Sequence, residues 1–416
     1  VDRAPILALT GQVATQVVGT GNFQEVDLVR AFQTVAEFNQ RVEYQSRHAE
    51  LMTLAIKHAI LKRDVSHLTF PDQVQVEPAK QAKAQTAEGR ITALTIAPPQ
   101  EQVDVATKSI AESKRPVIIV GHGARYHMEV IIALAEKLNC PVMTTFKGKG
   151  QISDTHRLGC GVLGRSGTPI ASYFMNEADL LIVIGASFSN HTGISAKKPI
   201  IQIDYDPMAI AKFHKIEIPV YGEISRTIEI LSASSDALSV NKVNQTEEIQ
   251  ARWGIWRAEK QKRLTEDRGE GVSSIAVFDE LTKQAPENAI MCVDVGNNAY
   301  SFGRYFEAKN QRFLMSGYLG SIGFALPASI GAWAAVGDER PIIAVAGDGG
   351  LCQYLADFTT LVKYKIPTKL IILNNSELGK ITKEQHAGGW DKWATDLVNP
   401  DFAEYAKGCG GFGLAI

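Results

Sequence analysis

The chain has 416 residues, 45% hydrophobic and 21% charged, with 43 Lys and Arg against 45 Asp and Glu for a net charge of −2. That length suits two or three domains, and the composition is that of a globular protein, not of a disordered, collagen-like or coiled-coil chain. So small a charge excess argues against a nucleic-acid partner, whose binding needs a basic field. The longest weakly polar stretch, Gly323 to Gly337, contains Pro327 and is too short to span a bilayer. No signal peptide is expected from the opening residues. The five cysteines (Cys140, Cys160, Cys292, Cys352 and Cys409) include no C-x-x-C pair, which fits neither a disulfide framework nor a zinc site. A cytoplasmic enzyme is the expectation.

The chain opens with Val1-Asp2-Arg3-Ala4-Pro5 and runs straight into an apolar segment, Ile6 to Leu9; it closes on the apolar residues Gly411 to Ile416. Domains rarely start or stop inside a core element, so a fragment missing residues at both ends is expected. The first block, 1–80, has that opening strand, a Gly19-Thr20-Gly21 turn and helical patterning from Ala49 to Leu61. Phe70 to Pro99 is rich in Pro and Gln with little periodicity, and 81–99 reads as a linker. In the second block, 100–235, the buried strand Pro116 to Val120 ends in Gly121-His122-Gly123-Ala124, and a helix follows from Glu129 to Leu138. Further strands are expected at Pro141 to Thr145, Leu180 to Ile184 and Ile200 to Asp204. Continuous apolar runs bounded by glycine and separated by helices mark a parallel α/β sheet. A charged, Trp-bearing helix near Glu247 to Leu264 fills a second linker, 236–268.

The third block, 269–416, repeats the grammar. Helix Ser274 to Gln284 precedes strand Ala289 to Val295. Strand Pro341 to Ala346 leads to Gly347-Asp348-Gly349-Gly350, helix Leu351 to Tyr364 follows, and strand Lys369 to Leu373 ends at Asn374-Asn375. The expected fold is α/β: tandem doubly wound parallel-sheet domains. In such sheets ligands bind beyond the carboxyl ends of the strands, where both polar clusters fall, and one β-α-β unit between them would set the two strand ends side by side. Glycines let backbone approach a phosphate. Asp348 and the Asn375 amide oxygen are hard ligands suited to a magnesium ion that keeps diphosphate oxygens. Cradle and metal together suggest a diphosphate cofactor.

The G-D-G cluster with N-N beginning some two dozen residues later resembles the signature of thiamine-diphosphate enzymes. So do Val293-Asp294-Val295-Gly296-Asn297 and Ser316-Gly317-Tyr318-Leu319-Gly320-Ser321-Ile322-Gly323-Phe324-Ala325-Leu326-Pro327 upstream. The resemblance implies a cofactor site built on Asn297, Gly347, Gly349 and Gly350. It makes Ile322 the wedge between the cofactor's two rings and gives the 4′-amino group to the Gly320 carbonyl. Asp348, Asn375 and the Glu377 carbonyl would hold magnesium. Gly21-Asn22-Phe23-Gln24-Glu25 resembles the end of the pyrimidine-binding domain, placing Phe23 and Gln24 at the cofactor's reactive end. The family's activating glutamate lies in an earlier part of that domain, upstream of Val1, so this chain alone is expected to be inactive. Sites in the family form between subunits, which implies a homodimer or homotetramer.

The middle block resembles the FAD-binding domain of pyruvate oxidases and acetolactate synthases. The matching pieces imply flavin contacts from Gly121, Gly123, Ala124, Thr145, Lys147, Leu163, Gly164, Gly185, Ser187, Asp204 and Asp206. After the metal site, Lys380-Ile381-Thr382-Lys383-Glu384-Gln385 looks like pyruvate oxidase, with Glu384 near the substrate. The Met-Val-x-Gln-Trp run of acetolactate synthases is missing. The resemblance implies oxidative decarboxylation of pyruvate, to acetyl phosphate or acetate, with thiamine diphosphate, Mg2+ and FAD, and a peripheral membrane contact if a quinone takes the electrons. Open alternatives are a carboligase of the acetolactate synthase type with non-redox FAD, a flavin-free α-keto acid decarboxylase or lyase, and a non-catalytic nucleotide-binding fragment.

Overall fold

The structure is a computed structural model that describes residues 3–78, 89–233, 238–266, 269 and 271–416. Val1, Asp2, residues 79–80 and the first part of the expected linker (81–88) lie outside the described residues. The chain forms two compact units, Val1–Leu94 and Thr95–Ile416.

In the first unit three parallel strands, β1 (Ile6–Gln12), β2 (Phe38–Arg41) and β3 (Val65–Pro71), lie in the order β1-β3-β2. The expected helix is present as His48–Lys62, closed by Arg63 in the left-handed conformation. The stretch read as a connection from Phe70 instead begins with the end of β3 and a turn of helix, Asp72–Gln75; Pro71 supplies the extended residue that precedes it. His67 on the central strand is fully buried and stacks on Phe32 at 3.8 Å. Its nitrogens face Thr10 Oγ1 and Asn39 Oδ1, each at 2.8 Å. Burial holds the imidazole below its ordinary pKa.

The second unit holds two parallel sheets. The larger has six strands in the order β6-β5-β4-β7-β8-β9: β4 (Pro116–Val120), β5 (Val142–Thr144), β6 (Gly159–Val162), β7 (Leu180–Ile184), β8 (Ile200–Asp204) and β9 (Ile218–Tyr221). The smaller has four in the order β11-β10-β12-β13: β10 (Ile290–Val293), β11 (Arg312–Met315), β12 (Ile342–Gly347) and β13 (Lys369–Leu373). Strand order that departs from sequence order in an all-parallel sheet is the doubly wound plan the apolar runs implied. Side chains on β10 and β12 alternate between two cores. Met291, Val293, Ile343 and Val345 join the cluster that includes the six-stranded sheet, whereas Ile290, Cys292, Ile342 and Ala344 form a second cluster with Leu326 and Leu361. This is the two-residue period of a strand buried on both faces.

The expected helix Leu351 to Tyr364 is broken into Asp348–Cys352, a 3-10 turn at Leu355–Asp357, and Phe358–Tyr364. The periodicity carried across the break, and the sequence held no Gly or Pro to announce it.

The helix Thr246–Leu264 is fastened by buried charge to helix Ser274–Gln284 and to the loop after helix Asn297–Tyr305. Lys260, 4% exposed, lies 2.9 Å from Asp279 and 3.0 Å from Glu307. Arg257 also pairs with Glu307 at 2.8 Å, and Lys283 with Asp279 at 2.8 Å. Burial pushes both carboxyls up, but the bonds to these cations outweigh it and leave both below their ordinary values. Depressed carboxyl pKa values stabilise fully above the unfolded values, about 3.9 and 4.3, and that contribution is lost as pH falls through the native ones. The melting temperature of this unit is therefore expected to fall as pH is lowered below about 5. A differential scanning calorimetry series in which Asp279→Asn/Glu307→Gln shows an equally steep acid fall would contradict this.

Candidate cofactor site

Strands β12 and β13 run parallel with Gly347 opposite Leu373. The two polar clusters therefore emerge side by side, as one β-α-β unit requires. Asp348 is 2% exposed, and Asn374 and Asn375 are exposed. Asn399 Nδ2 donates to Asp348 Oδ2 at 2.7 Å and to Asn374 Oδ1 at 2.9 Å. Asp348 Oδ1 has no hydrogen-bond partner among the described residues. Beyond Asn375 the chain meets residues 395–397 in antiparallel fashion. Leu397 N donates to Ser376 O at 2.9 Å and Leu378 N to Thr395 O at 2.8 Å, around a bridge of Glu377 with Asp396. Neither bond uses the Glu377 carbonyl. The Glu377 carboxylate is held by Thr382 and Lys392 below its ordinary pKa.

Asp294, at the end of β10 and 1% exposed, organises the neighbouring loop. Its Oδ1 accepts from Val295 N at 2.7 Å and Gly323 N at 2.9 Å. Burial nevertheless pushes its carboxyl pKa up. Ser316 Oγ accepts from Ser321 N at 3.0 Å. Pinned at both ends, the loop exposes Tyr318, Leu319 and, at 41%, Ile322; Gly320 takes φ +63°. Around Gly379 the side chains of Asn297 and Asn375 converge, each amide nitrogen within 3.1 Å of where a Cβ would stand.

The three cradle glycines have different causes. A Cβ on Gly350 would lie 2.8 Å from Asp294 Oδ2, and one on Gly349 would lie 2.7 Å from Leu378. One on Gly347 would meet nothing of the chain closer than 4.0 Å. Packing therefore explains two of the three and leaves open space at the third. Among the described residues no three His, Cys, Asp or Glu side chains gather to hold a metal, so a cation here would depend on one carboxylate with amide and carbonyl oxygens. Such a hard, partial ligand set suits Mg2+ carrying a diphosphate. The residues fit that group.

Phe23 and Gln24 lie in the first unit, on a loop fixed by Glu25. Its carboxylate accepts from the N–H groups of Gly19, Gly21 and Asn22, foremost Gly19, and its pKa is lowered. Phe23 is 82% exposed and Gln24 takes φ +63°. In the second unit the flavin-like glycines face one another. A Cβ on Gly121 would lie 2.1 Å from Gly185 O, on Gly123 2.9 Å from Gly185 Cα, on Gly185 2.6 Å from Ala124 N, and on Gly164 2.2 Å from His191 O. Asp204 and Asp206 accept from the N–H groups of Asp206 and Met208 within their own turn. Thr145 and Leu163 are buried, and the Lys147 side chain lies against Gly317 of the opposing loop. Ser187 is exposed. Loop-on-loop packing accounts for these glycines, so the geometry adds nothing that requires a flavin. Gly121→Ala should destabilise the unit by about 1–3 kcal/mol through overpacking. Gly254→Ala, in an exposed helix position with open space around it, should stabilise by up to about 1 kcal/mol. Equal denaturation midpoints for the two variants would refute that packing account.

Glu384 is exposed on helix Gly379–Ala387 and pairs with Lys380 at 2.6 Å. Lys380 first, with Arg165 and His191 of the larger sheet's loops as lesser causes, holds its pKa down. Sequence reading missed Asn399, 51 residues from the aspartate it bonds, and it gave Asp294 no role although that residue stood in the quoted motif. A carboxylate directly after a strand and before a glycine was the available signal for Asp294; Asn399 carried none.

Comparison with known proteins places this arrangement. The thiamine pyrophosphate enzyme central domain matches residues 103–231, and the C-terminal thiamine pyrophosphate binding domain matches residues 294–416. The chain belongs to the thiamine pyrophosphate enzyme family. It is 32% identical over 420 residues to YdaP of Bacillus subtilis, described as a candidate thiamine pyrophosphate-containing protein, across 100% of this chain and 72% of that one. It is 28% identical over 433 residues to the acetolactate synthase isozyme 3 large subunit of Escherichia coli, across 100% and 74%, and 29% identical to an acetolactate synthase of Arthrospira platensis, across 97% and 72%. These relatives favour the carboligase alternative over the pyruvate oxidase that the Glu384 segment suggested. Among the described residues no helix is long and apolar enough to cross a membrane.

Proposed function

We propose that the protein is a thiamine-diphosphate- and Mg2+-dependent enzyme that decarboxylates pyruvate or a close α-keto acid and joins the two-carbon unit to a second keto acid, in the manner of acetolactate synthases. The observation that carries this reading is the similarity to proteins of that name along nearly the whole chain. When bound, the cofactor supplies a carbon nucleophile and the electron sink for loss of carbon dioxide. The chain's own residues orient and shield it. Asp348 Oδ1, the Asn375 amide oxygen and the Glu377 carbonyl would hold the cation, and Asn297, Gly347, Gly349 and Gly350 would line the diphosphate. Gly320 and Ile322 would support the cofactor's rings, and Phe23 and Gln24 of a second copy would close its reactive end, so the working form would be a homodimer or homotetramer in the cytoplasm. Asp294 fixes the loop that carries Gly320 and Ile322, and the apolar side chains of that loop exclude water.

A second reading, pyruvate oxidation through FAD, is favoured by the segment Lys380 to Gln385, which looks like that of pyruvate oxidases and sets Glu384 on helix Gly379–Ala387. In it the loops of Gly121, Gly164 and Gly185 hold the flavin. The test separating the two is product analysis after pyruvate, thiamine diphosphate and Mg2+ are added to the full-length protein, with and without a dye that accepts electrons. Acetolactate formed without dye reduction supports the carboligase; dye reduction coupled to acetate or acetyl phosphate supports the oxidase.

A further inference from the structure

We propose that Asn399 is the positioning residue of the cation site, setting which oxygen Asp348 offers while touching neither cation nor diphosphate; this rests on the thiamine-diphosphate reading of that site. The amide of Asn399 is fully engaged. Its Nδ2 donates to Asp348 Oδ2 at 2.7 Å and to Asn374 Oδ1 at 2.9 Å, and its Oδ1 accepts from Cys352 Sγ at 3.8 Å. One side chain thus ties the end of β12, the end of β13 and the last residue of helix Asp348–Cys352.

The side chain is itself held from both directions. Two residues earlier, Leu397 N is bonded to Ser376 O, in the segment that follows Asn374. Two residues later, Asp401 caps helix Phe402–Gly408 by accepting from Glu404 N at 3.0 Å. A carboxylate with one oxygen bonded to a fixed amide and the other unpartnered has one productive orientation. With the amide removed, Asp348 keeps its charge and its 2% exposure but loses the bond that fixes its rotation. Removal of such an outer partner typically weakens metal binding by about 10–100-fold. Mg2+ should suffer more than Ca2+, because Mg2+ demands near-ideal octahedral geometry and Ca2+ tolerates distortion.

The test compares Asn399→Ala and the near-isosteric Asn399→Leu with the parent protein saturated with thiamine diphosphate. Calorimetric titrations with Mg2+ and with Ca2+ give the affinities, and the ligand-free melting temperature reports folding. The expected result is Mg2+ affinity lowered by about 10–100-fold, with a reduced Mg2+/Ca2+ affinity ratio in whichever of the two variants folds. Asp348→Asn is the reference. If Asp348→Asn abolishes Mg2+ binding while the Asn399 variants keep both affinity and ratio, the inference fails and the site reading stands. Equal losses for Mg2+ and Ca2+ accompanied by a lower ligand-free melting temperature would also overturn it, since that is a structural defect. If Asp348→Asn binds Mg2+ like the parent, the site reading itself fails.

Discussion

Replacing Lys260 with Ala is expected to destabilise the second unit by about 3–5 kcal/mol, the range for removing one partner of a buried ion pair. The cost arises on the other side of the contact. Asp279 and Glu307, 6% and 9% exposed, would each lose a cation within 3.0 Å and face one another's charge with only Lys283 and Arg257 left. Lys260→Met, which keeps most of the volume, should lose nearly as much, which separates charge from packing. Adding Asp279→Asn and Glu307→Gln to Lys260→Met should restore most of the stability, because an uncharged set replaces uncompensated carboxylates. Chemical denaturation midpoints measure all of this. If Lys260→Met melts like the parent, the network contributes nothing and helix Thr246–Leu264 is held by its other contacts, the buried Ile249, Trp253 and Trp256 among them.

The second large effect is expected at Asp348. In the full-length protein, Asp348→Ala should lower kcat/KM for pyruvate by more than about 100-fold, since loss of a direct ligand exceeds the 10–100-fold typical of outer partners. Folding should be little affected, because the group that loses its partner is the half-buried Asn399 amide, which still reaches Asn374. Excess Mg2+ should recover part of the loss, as mass action on a weakened site requires. Unaltered activity at limiting Mg2+ would remove Asp348 from the site.

What the sequence made legible follows from physics that acts locally. Apolar runs such as Pro116–Val120 and Leu180–Ile184 match the observed strands residue for residue, because a strand buried on both faces has no polar position to blur its ends. The β-α-β spacing from Asp348 to Asn375 was enough to place two strand ends together. Short strands such as β2 and β11 were not read: Phe38–Arg41 and Arg312–Met315 carry exposed polar residues and lie at the edges of their sheets, where burial leaves a weaker pattern. The Asp348–Cys352 break was hidden because apolar periodicity persists through it.

At the site, glycines were legible as a pattern and not as causes. Gly350 is required by the Asp294 carboxylate and Gly121 by the Gly185 carbonyl, and neither partner is near in sequence. A glycine that makes room for the protein's own backbone reads the same as one that makes room for a ligand. That is why the flavin expectation, built on strand-end glycines, gains nothing from the geometry, whereas the open space at Gly347 adds to the diphosphate expectation. Asn399 was invisible for the complementary reason, since a lone Asn before Pro400 carries no pattern and its role exists only once two strand ends have been brought to it.

The central claim, a thiamine diphosphate and Mg2+ site that turns over pyruvate by carboligation, is tested most directly by following pyruvate consumption and acetolactate formation in the full-length protein supplied with both cofactors. The account predicts that acetolactate appears at one molecule for every two of pyruvate consumed, and that formation stops when Mg2+ is chelated. Pyruvate left untouched, or acetolactate formed equally well with thiamine diphosphate and Mg2+ withheld, would contradict it.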